Sequence, residues 1–294
     1  MNLKQEKLQL LGIYGVLKET FKLIFTAKTI FTQITLSFLL PLSFLIFTQT
    51  KIPNLWSIRS FPFNSALFFF SAVFFFLSTA STVFAAASTF ADRELPFHQL
   101  LCVVPKICKQ HLITFLCLTV DFFAFNFVAL SAITLICIAI LHLLYYEPFE
   151  FLTRLLILFL SVEMFYFALI WQMASVVSVF EADSYGFEAI ARSKELLNGK
   201  MAMASILLIL IGLPFGVILF VIRYVVVAES ALVEVGIRGI LGIVWMWCFF
   251  MFLLIGTVLC LVCKSCHRER IDKLDLFVHL QQSLESKTEP LTLE

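Results

Sequence analysis

The stretch 238–270, RGILGIVWMWCFFMFLLIGTVLCLVCKSCHRER, opens on Arg238 and then carries no charged residue until Lys264. A helix needs roughly 20 apolar residues to cross a hydrocarbon core of ~30 Å, so this uncharged run reads as a membrane span. At its end, Cys263-Lys-Ser-Cys266-His267 spells a c-type haem attachment string. What that string means depends on which side of the membrane it faces.

The rest of the chain has the same character. Of 294 residues, 61% are hydrophobic, 35 are Phe and only 14% are charged, with a mean hydropathy of +0.99. An ordinary soluble domain is roughly one quarter charged, and no soluble core would bury this much apolar surface. Six stretches have spanning length, at about 30–48, 64–90, 112–144, 152–180, 202–227 and 238–263. The expected fold is therefore all-α: a polytopic six-helix transmembrane bundle, flanked by an N-terminal arm over 1–29 and a tail over 264–294. The arm is too charged for a signal-peptide core and no small-residue cleavage site follows it, so the first span is expected to be retained.

Lys and Arg are sorted by side. The arm, the 91–111 and 181–200 loops and the tail hold 16 of them, and the opposite loops hold 5. That bias predicts that both termini are cytosolic. The net charge of +1 says little once this sorting is seen.

Haem attachment belongs to the oxidising, non-cytosolic side, which argues against it at Cys263 and Cys266. A zinc site would draw on Cys260, Cys263, Cys266 and His267. One continuous helix over those positions fans the ligands around its surface and does not converge them on an ion. Two readings remain. Cys260, Cys263 and Cys266 are lipidation candidates, beside Lys264, Arg268 and Arg270 that attract anionic headgroups, or they are buried thiols in a reducing compartment. No cofactor and no metal is expected.

Two segments on the cytosolic side have amphipathic spacing. In LQLLGIYGVLKETFKLIFTAK, residues 8–28, Leu10, Tyr14, Leu17, Phe21 and Ile24 form a stripe with Lys18, Glu19 and Lys22 off it, which suits a helix lying on the leaflet. In EADSYGFEAIARSKELLNGK, residues 181–200, Asp183 or Ser184 can cap a helix and Gly199 can end it. Phe187, Ile190, Leu196 and Leu197 give that helix an apolar side.

In this second segment Glu181, Gly186, Ala189, Arg192, Ser193, Leu196 and Gly199 follow the spacing of a cytosolic motif ending RS-x-x-L-x-x-G. The motif resembles that of a broad superfamily of six-helix membrane proteins, which includes the membrane domain attached to some bacterial glycerophosphodiester phosphodiesterases. With LGIYGVLKET (11–20) and LSFLLPLSFL (36–45), the chain resembles a plant family of uncharacterised six-span membrane proteins over essentially its whole length. The resemblance implies a fold and an interfacial helix. It implies no chemistry, because the soluble phosphodiesterase domain has no counterpart here.

Ionisable groups inside spans are pointers to function. Asp121 lies roughly 13 Å into span three from the cytosolic side, and Glu163 roughly 16 Å into span four from the other, at ~1.5 Å per residue. Both fall near one level. Two unpaired carboxylates there would share a proton, stay protonated or hold a cation, or each is protonated and fixes helix packing. The backbone offers similar alternatives. Pro214 between Gly212 and Gly216 in span five, Pro41 in span one, and the glycines 236, 239 and 242 at the start of span six mark kinks or close helix approaches. Ser78, Thr82 and Ala86 make a small-residue stripe in span two.

No phosphate loop, HExxH pair or GxSxG elbow occurs, and His98, His111, His142, His267 and His279 are scattered. The expected function is a non-enzymatic membrane scaffold or regulator of an endomembrane, such as the ER, or the plasma membrane. Its partners would be the lipid bilayer, anionic headgroups at the basic juxtamembrane segments, and cytosolic proteins reached through 181–200 and the tail, with no nucleic acid. The alternative is a small-molecule, ion or lipid transporter using Asp121 and Glu163.

Overall fold

The computed structural model describes residues 12–50, 61–91, 96–144, 149–181, 184–221 and 231–266. Leu10, Asp183, His267, Arg268, Arg270 and the tail beyond Cys266 lie outside the described residues. Among the described residues there are helices and short turns and no strand: α1 (Ile13–Thr26), α2 (Lys28–Ile34), a π-helical turn (Thr35–Leu39), α3 (Leu40–Thr50), α4 (Phe61–Phe90), α5 (Phe97–Leu144), α6 (Phe149–Phe180), α7 (Phe187–Leu197), α8 (Met201–Phe220) and α9 (Ala231–Cys266). Six stretches are long and apolar enough to cross a membrane: Lys28–Gln49, Pro62–Phe90, Phe97–Leu135, Leu156–Phe180, Met201–Ile218 and Val235–Cys266. The protein is an all-α, multi-pass integral membrane protein.

The first span runs through α2 and α3, and its π turn ends two residues before Pro41. Proline removes one backbone donor and its ring crowds the carbonyl four residues back; a wider turn at that point relieves the crowding. The third span departs from the expected bounds. Residues 97–111, taken from their Lys content as part of a loop, are helical and continuous with the span in α5. Leu100, Val103, Val104, Ile107 and His111 are buried at helical spacing, while Lys106 and Lys109 face outward. At ~1.5 Å per residue, the 48 residues of α5 reach about 72 Å, far more than a ~30 Å core requires. Span five, expected to reach 227, is described as α8 only to Phe220.

Helix α9 is the axis of the bundle. In its most apolar window 83% of residues are buried, against 17–44% in the other five spans. Lipid tails are as apolar as leucine, so nothing hydrophobic drives these helices together, and close packing and hydrogen bonds must hold them. Both are visible around α9. Trp245 stacks on Phe249 at 5.5 Å between ring centroids, Phe249 on Phe252 at 6.4 Å, and Phe252 on Trp171 of α6 at 6.3 Å. Trp171 in turn stacks on Phe75 of α4 at 5.5 Å, and Phe215 of α8 meets Trp245 at 4.9 Å. One aromatic column thus ties four spans together.

Small residues supply the close approaches. Ser78, Thr82 and Ala86 of α4 are fully buried. The hydroxyls of Ser78 and Thr79 donate to the Phe75 carbonyl at 2.9 Å and that of Ser88 to the Phe84 carbonyl at 3.0 Å, so these side chains satisfy themselves on their own helix and contribute smallness. The glycines singled out in the sequence behave differently. A β-carbon at Gly212, Gly216, Gly236 or Gly239 would meet nothing within 4 Å, and at Gly242 it would meet only the Phe47 ring at 3.4 Å. Close approach of another helix at Gly212 and Gly216 is therefore not what the fold uses. The tight glycine is Gly256, where a β-carbon would lie 2.7 Å from Gln172 Nε2 and 2.9 Å from Gln172 Cγ. Gln172 is buried in α6 and donates through that same Nε2 to the Phe252 carbonyl at 3.0 Å.

On helix α1 the stripe expected to lie on the leaflet is divided: Leu17 and Ile24 pack partly against the bundle, and the aromatic residues stay outside it. Val16, Thr20 and Leu23 are buried, whereas Tyr14 is 78% exposed and Phe21 is exposed with it. The bundle takes the slimmer row of side chains and leaves the large aromatics outside, beside Lys18 and Lys22.

Gly256→Ala is expected to push Gln172 off the Phe252 carbonyl and destabilise the fold by about 1–3 kcal/mol. Thermal unfolding in detergent checks this, and adding Gln172→Ala should recover part of the loss, since the two positions share one contact.

Candidate functional site

Two helical faces meet between α5 and α6. Leu118, Asp121, Phe122 and Phe125 recur at spacings of three and four on α5; Phe159, Val162, Glu163, Tyr166, Phe167 and Ile170 do so on α6. Between them lies a cavity of about 370 Å³, which Lys194 of α7 joins from one end. Five aromatic rings line it, and Phe122 holds the two helices together through Phe167 at 4.6 Å.

Asp121 and Glu163, far apart in sequence, line this same cavity. They are not equivalent. Asp121 Oδ2 lies 3.7 Å from Lys194 Nζ, with both side chains about half exposed. The sequence reading had no cation at that depth; it missed Lys194 because α7, one helix further along the chain, folds back to reach α5. Glu163 Oε1 accepts a hydrogen bond of 2.7 Å from Asn126 Nδ2, which also donates to the Phe122 carbonyl at 2.9 Å. Asn126 was not singled out, although its place five residues after Asp121 puts it within reach of the same helix pair. Glu163 Oε2 is buried without a hydrogen-bond partner among the described residues.

The residues of the 181–199 motif do different work: they seat α7 against the ends of α5, α6 and α9. Gly186, at φ 67°, precedes the helix and its N–H donates to Thr114 Oγ1 of α5 at 2.9 Å. A β-carbon there would press on Cys117 Sγ at 3.3 Å. Ala189, Ile190, Ser193, Leu196 and Leu197 are buried, and Ser193 Oγ donates to the Ile190 carbonyl at 2.8 Å. Phe187, expected on this apolar side, is 59% exposed, because the helix starts only after Gly186 and its first residue clears the bundle. Arg192 pairs with Glu195 at 3.0 Å on the outer face, and Gly199, at φ 84°, follows the helix end.

Glu181 closes the arrangement. Its carboxylate pairs with Lys264 Nζ of α9 at 2.5 Å, and that ammonium also lies 5.7 Å from the centre of the Phe180 ring. Burial pushes the Glu181 carboxyl up, but the hydrogen bond and charge of Lys264, helped by Ser184 and Arg192, outweigh it and hold the group below its ordinary value of 4.5. Cys260 and Cys263 on the preceding turns are fully buried; only Cys266 keeps some surface. Burial leaves Cys260 and Cys263 no route to an acyl donor in the folded protein, which favours the buried-thiol reading for those two.

These features define a class: a six-span helical membrane protein with an aromatic-lined cavity between two spans and a helix packed over one end. A family model described as "Domain of unknown function (DUF8558)" matches residues 1–61 and 57–293, and the chain belongs to that family. No curated protein and no solved structure matches it.

Three outcomes follow from this geometry. Lys264→Met should cost about 1.5–3 kcal/mol, the range for a hydrogen bond to a charged group. A carboxyl depressed in the folded state stabilises at pH above its unfolded value, and that share is lost as pH falls through the folded value. Thermal melts at neutral pH and below pH 4.5 should therefore differ more in the wild type than in Lys264→Met. Maleimide applied to native membranes should label Cys266 and reach Cys260 and Cys263 only after unfolding, as mass spectrometry would show.

Proposed function

We propose that this protein is a non-enzymatic carrier or receptor for a small membrane amphiphile, bound in the cavity between α5 and α6. The observation that supports this is the convergence of Asp121 and Glu163 on a single aromatic-lined space of about 370 Å³. Pockets of about 300–1,000 Å³ with mostly apolar walls and a few polar groups are typical of small-molecule sites. The Asp121–Lys194 pair at one end and Glu163 within give such a ligand two distinct polar surroundings. In this proposal the Lys and Arg bias puts α7 and both termini on the cytosolic side of an endomembrane or the plasma membrane.

A second reading, a scaffold for cytosolic proteins, draws on a different observation. Tyr185, just before α7, and Phe187, Glu188 and Glu195 on it are exposed. Proximity labelling with the labelling enzyme fused after Glu294 tests it: recovery of cytosolic neighbours supports the scaffold and the orientation together, and recovery of luminal or extracellular ones removes both.

For the carrier, full-length protein in vesicles should speed the movement of a fluorescent single-chain amphiphile between leaflets, read by quenching of the outer leaflet. Val162→Trp, which fills the cavity from its wall, and Glu163→Gln should each slow that movement by about tenfold, equivalent to ~1.4 kcal/mol. Unchanged rates in both variants, with unchanged melting temperatures, would remove the carrier reading.

A further inference from the structure

The cavity's chemistry narrows its ligand. Glu163 has one partner among the described residues, the Asn126 amide at Oε1, and its Oε2 is buried with none. A carboxyl group inside a hydrocarbon layer is expensive unless a proton, a donor or a cation meets it. Lys194, the cationic side chain on the cavity wall, is engaged with Asp121 at the α7 end. The same cavity is lined by Phe122, Phe159, Tyr166 and Phe167, rings whose faces attract cations. An acceptor oxygen without a donor among the described residues, on the wall of a cavity lined by aromatic rings between two spans, is matched by an ammonium group on an alkyl chain.

We propose that the cavity binds a single-chain cationic amphiphile, a long-chain primary amine, with its ammonium on Glu163 Oε2 among the aromatic rings and its chain passing out between α5 and α6 into the bilayer. This rests on the amphiphile-binding reading above and specifies the ligand class. The ammonium donates hydrogen bonds to Oε2 and supplies the charge the carboxylate lacks. A fatty acid would bring a second anion to Glu163 and is disfavoured by like-charge repulsion. A long-chain alcohol offers one neutral donor and occupies an intermediate place, because a neutral hydrogen bond is about half as strong as a charge-assisted one. The volume, about 370 Å³, suits one chain and not a two-chain phospholipid.

Electron paramagnetic resonance of nitroxide-labelled octadecylamine, octadecanol and stearic acid tests this, in phosphatidylcholine vesicles holding the full-length protein. The immobilised fraction of each probe reports its association. The expected order is amine, alcohol, acid, with the amine about tenfold above the acid, and with Glu163→Gln lowering the amine to the level of the alcohol. Val162→Trp, which leaves the carboxylate intact, should displace all three probes and provides the readout should Glu163→Gln fail to fold. Equal immobilisation of the three probes, all displaced by Val162→Trp, would overturn the amine assignment and leave the amphiphile cavity standing. Immobilisation no greater than that of nitroxide-labelled phosphatidylcholine, for every probe, would overturn both.

Discussion

The burial of α9 is the constraint on which the structure depends. A helix that lipid would accept on every side is instead enclosed, and since hydrophobicity gives it no preference for protein over lipid, the enclosure must come from fit. Trp245, Phe249 and Phe252 lie along one side of α9 and meet rings from α8, α6 and α4. Where backbones come nearest, Gly256 admits the side chain of Gln172, which hydrogen-bonds the Phe252 carbonyl across the helix pair. Remove the fit and each span is as well solvated by lipid as by its neighbours.

The site is the complement of this arrangement. Helices α4, α6 and α9 are occupied with one another, and the remaining face of α6 packs on α5 with a space left between the two past Leu118. Among the described residues, Phe122 with Phe167 and Asn126 with Glu163 bridge that gap. The clamp at α7 then places one more group at an end of the cavity. With Gly186 bonded to Thr114 and Ser193 and Leu196 packed inward, Lys194 is left on the side of α7 that faces Asp121. The motif residues are thus positioning groups, and the group they deliver is not among them.

Much of this was legible from residue order. The uncharged runs gave six spans, because a length requirement set by bilayer thickness is local and needs no partner. Ser78, Thr82 and Ala86 read correctly as a packing stripe for the same reason: small size is a property of the residue itself. The errors share one cause. Residues 97–111 were taken as loop from their lysines, although Leu100, Val103, Val104 and Ile107 carried a helical period beneath the charges. On α1 the stripe of Tyr14 and Phe21 was read for the leaflet, while the inward row of Val16, Thr20 and Leu23 went unnamed, because only the shape of the facing bundle selects it. Glycines without neighbours and one with a close neighbour look alike in a sequence.

By itself, then, the sequence determined the helical class and the six spans, since hydropathy, span length and turn residues act over a few residues. The tertiary structure decided that α9 is the axis, that Cys260 and Cys263 are enclosed, and that Asp121 meets Lys194 while Glu163 meets Asn126. Those facts turn on which faces of separate helices are brought within a few ångströms of each other. Side-chain fit across helices sets that, and it has no local signature to read.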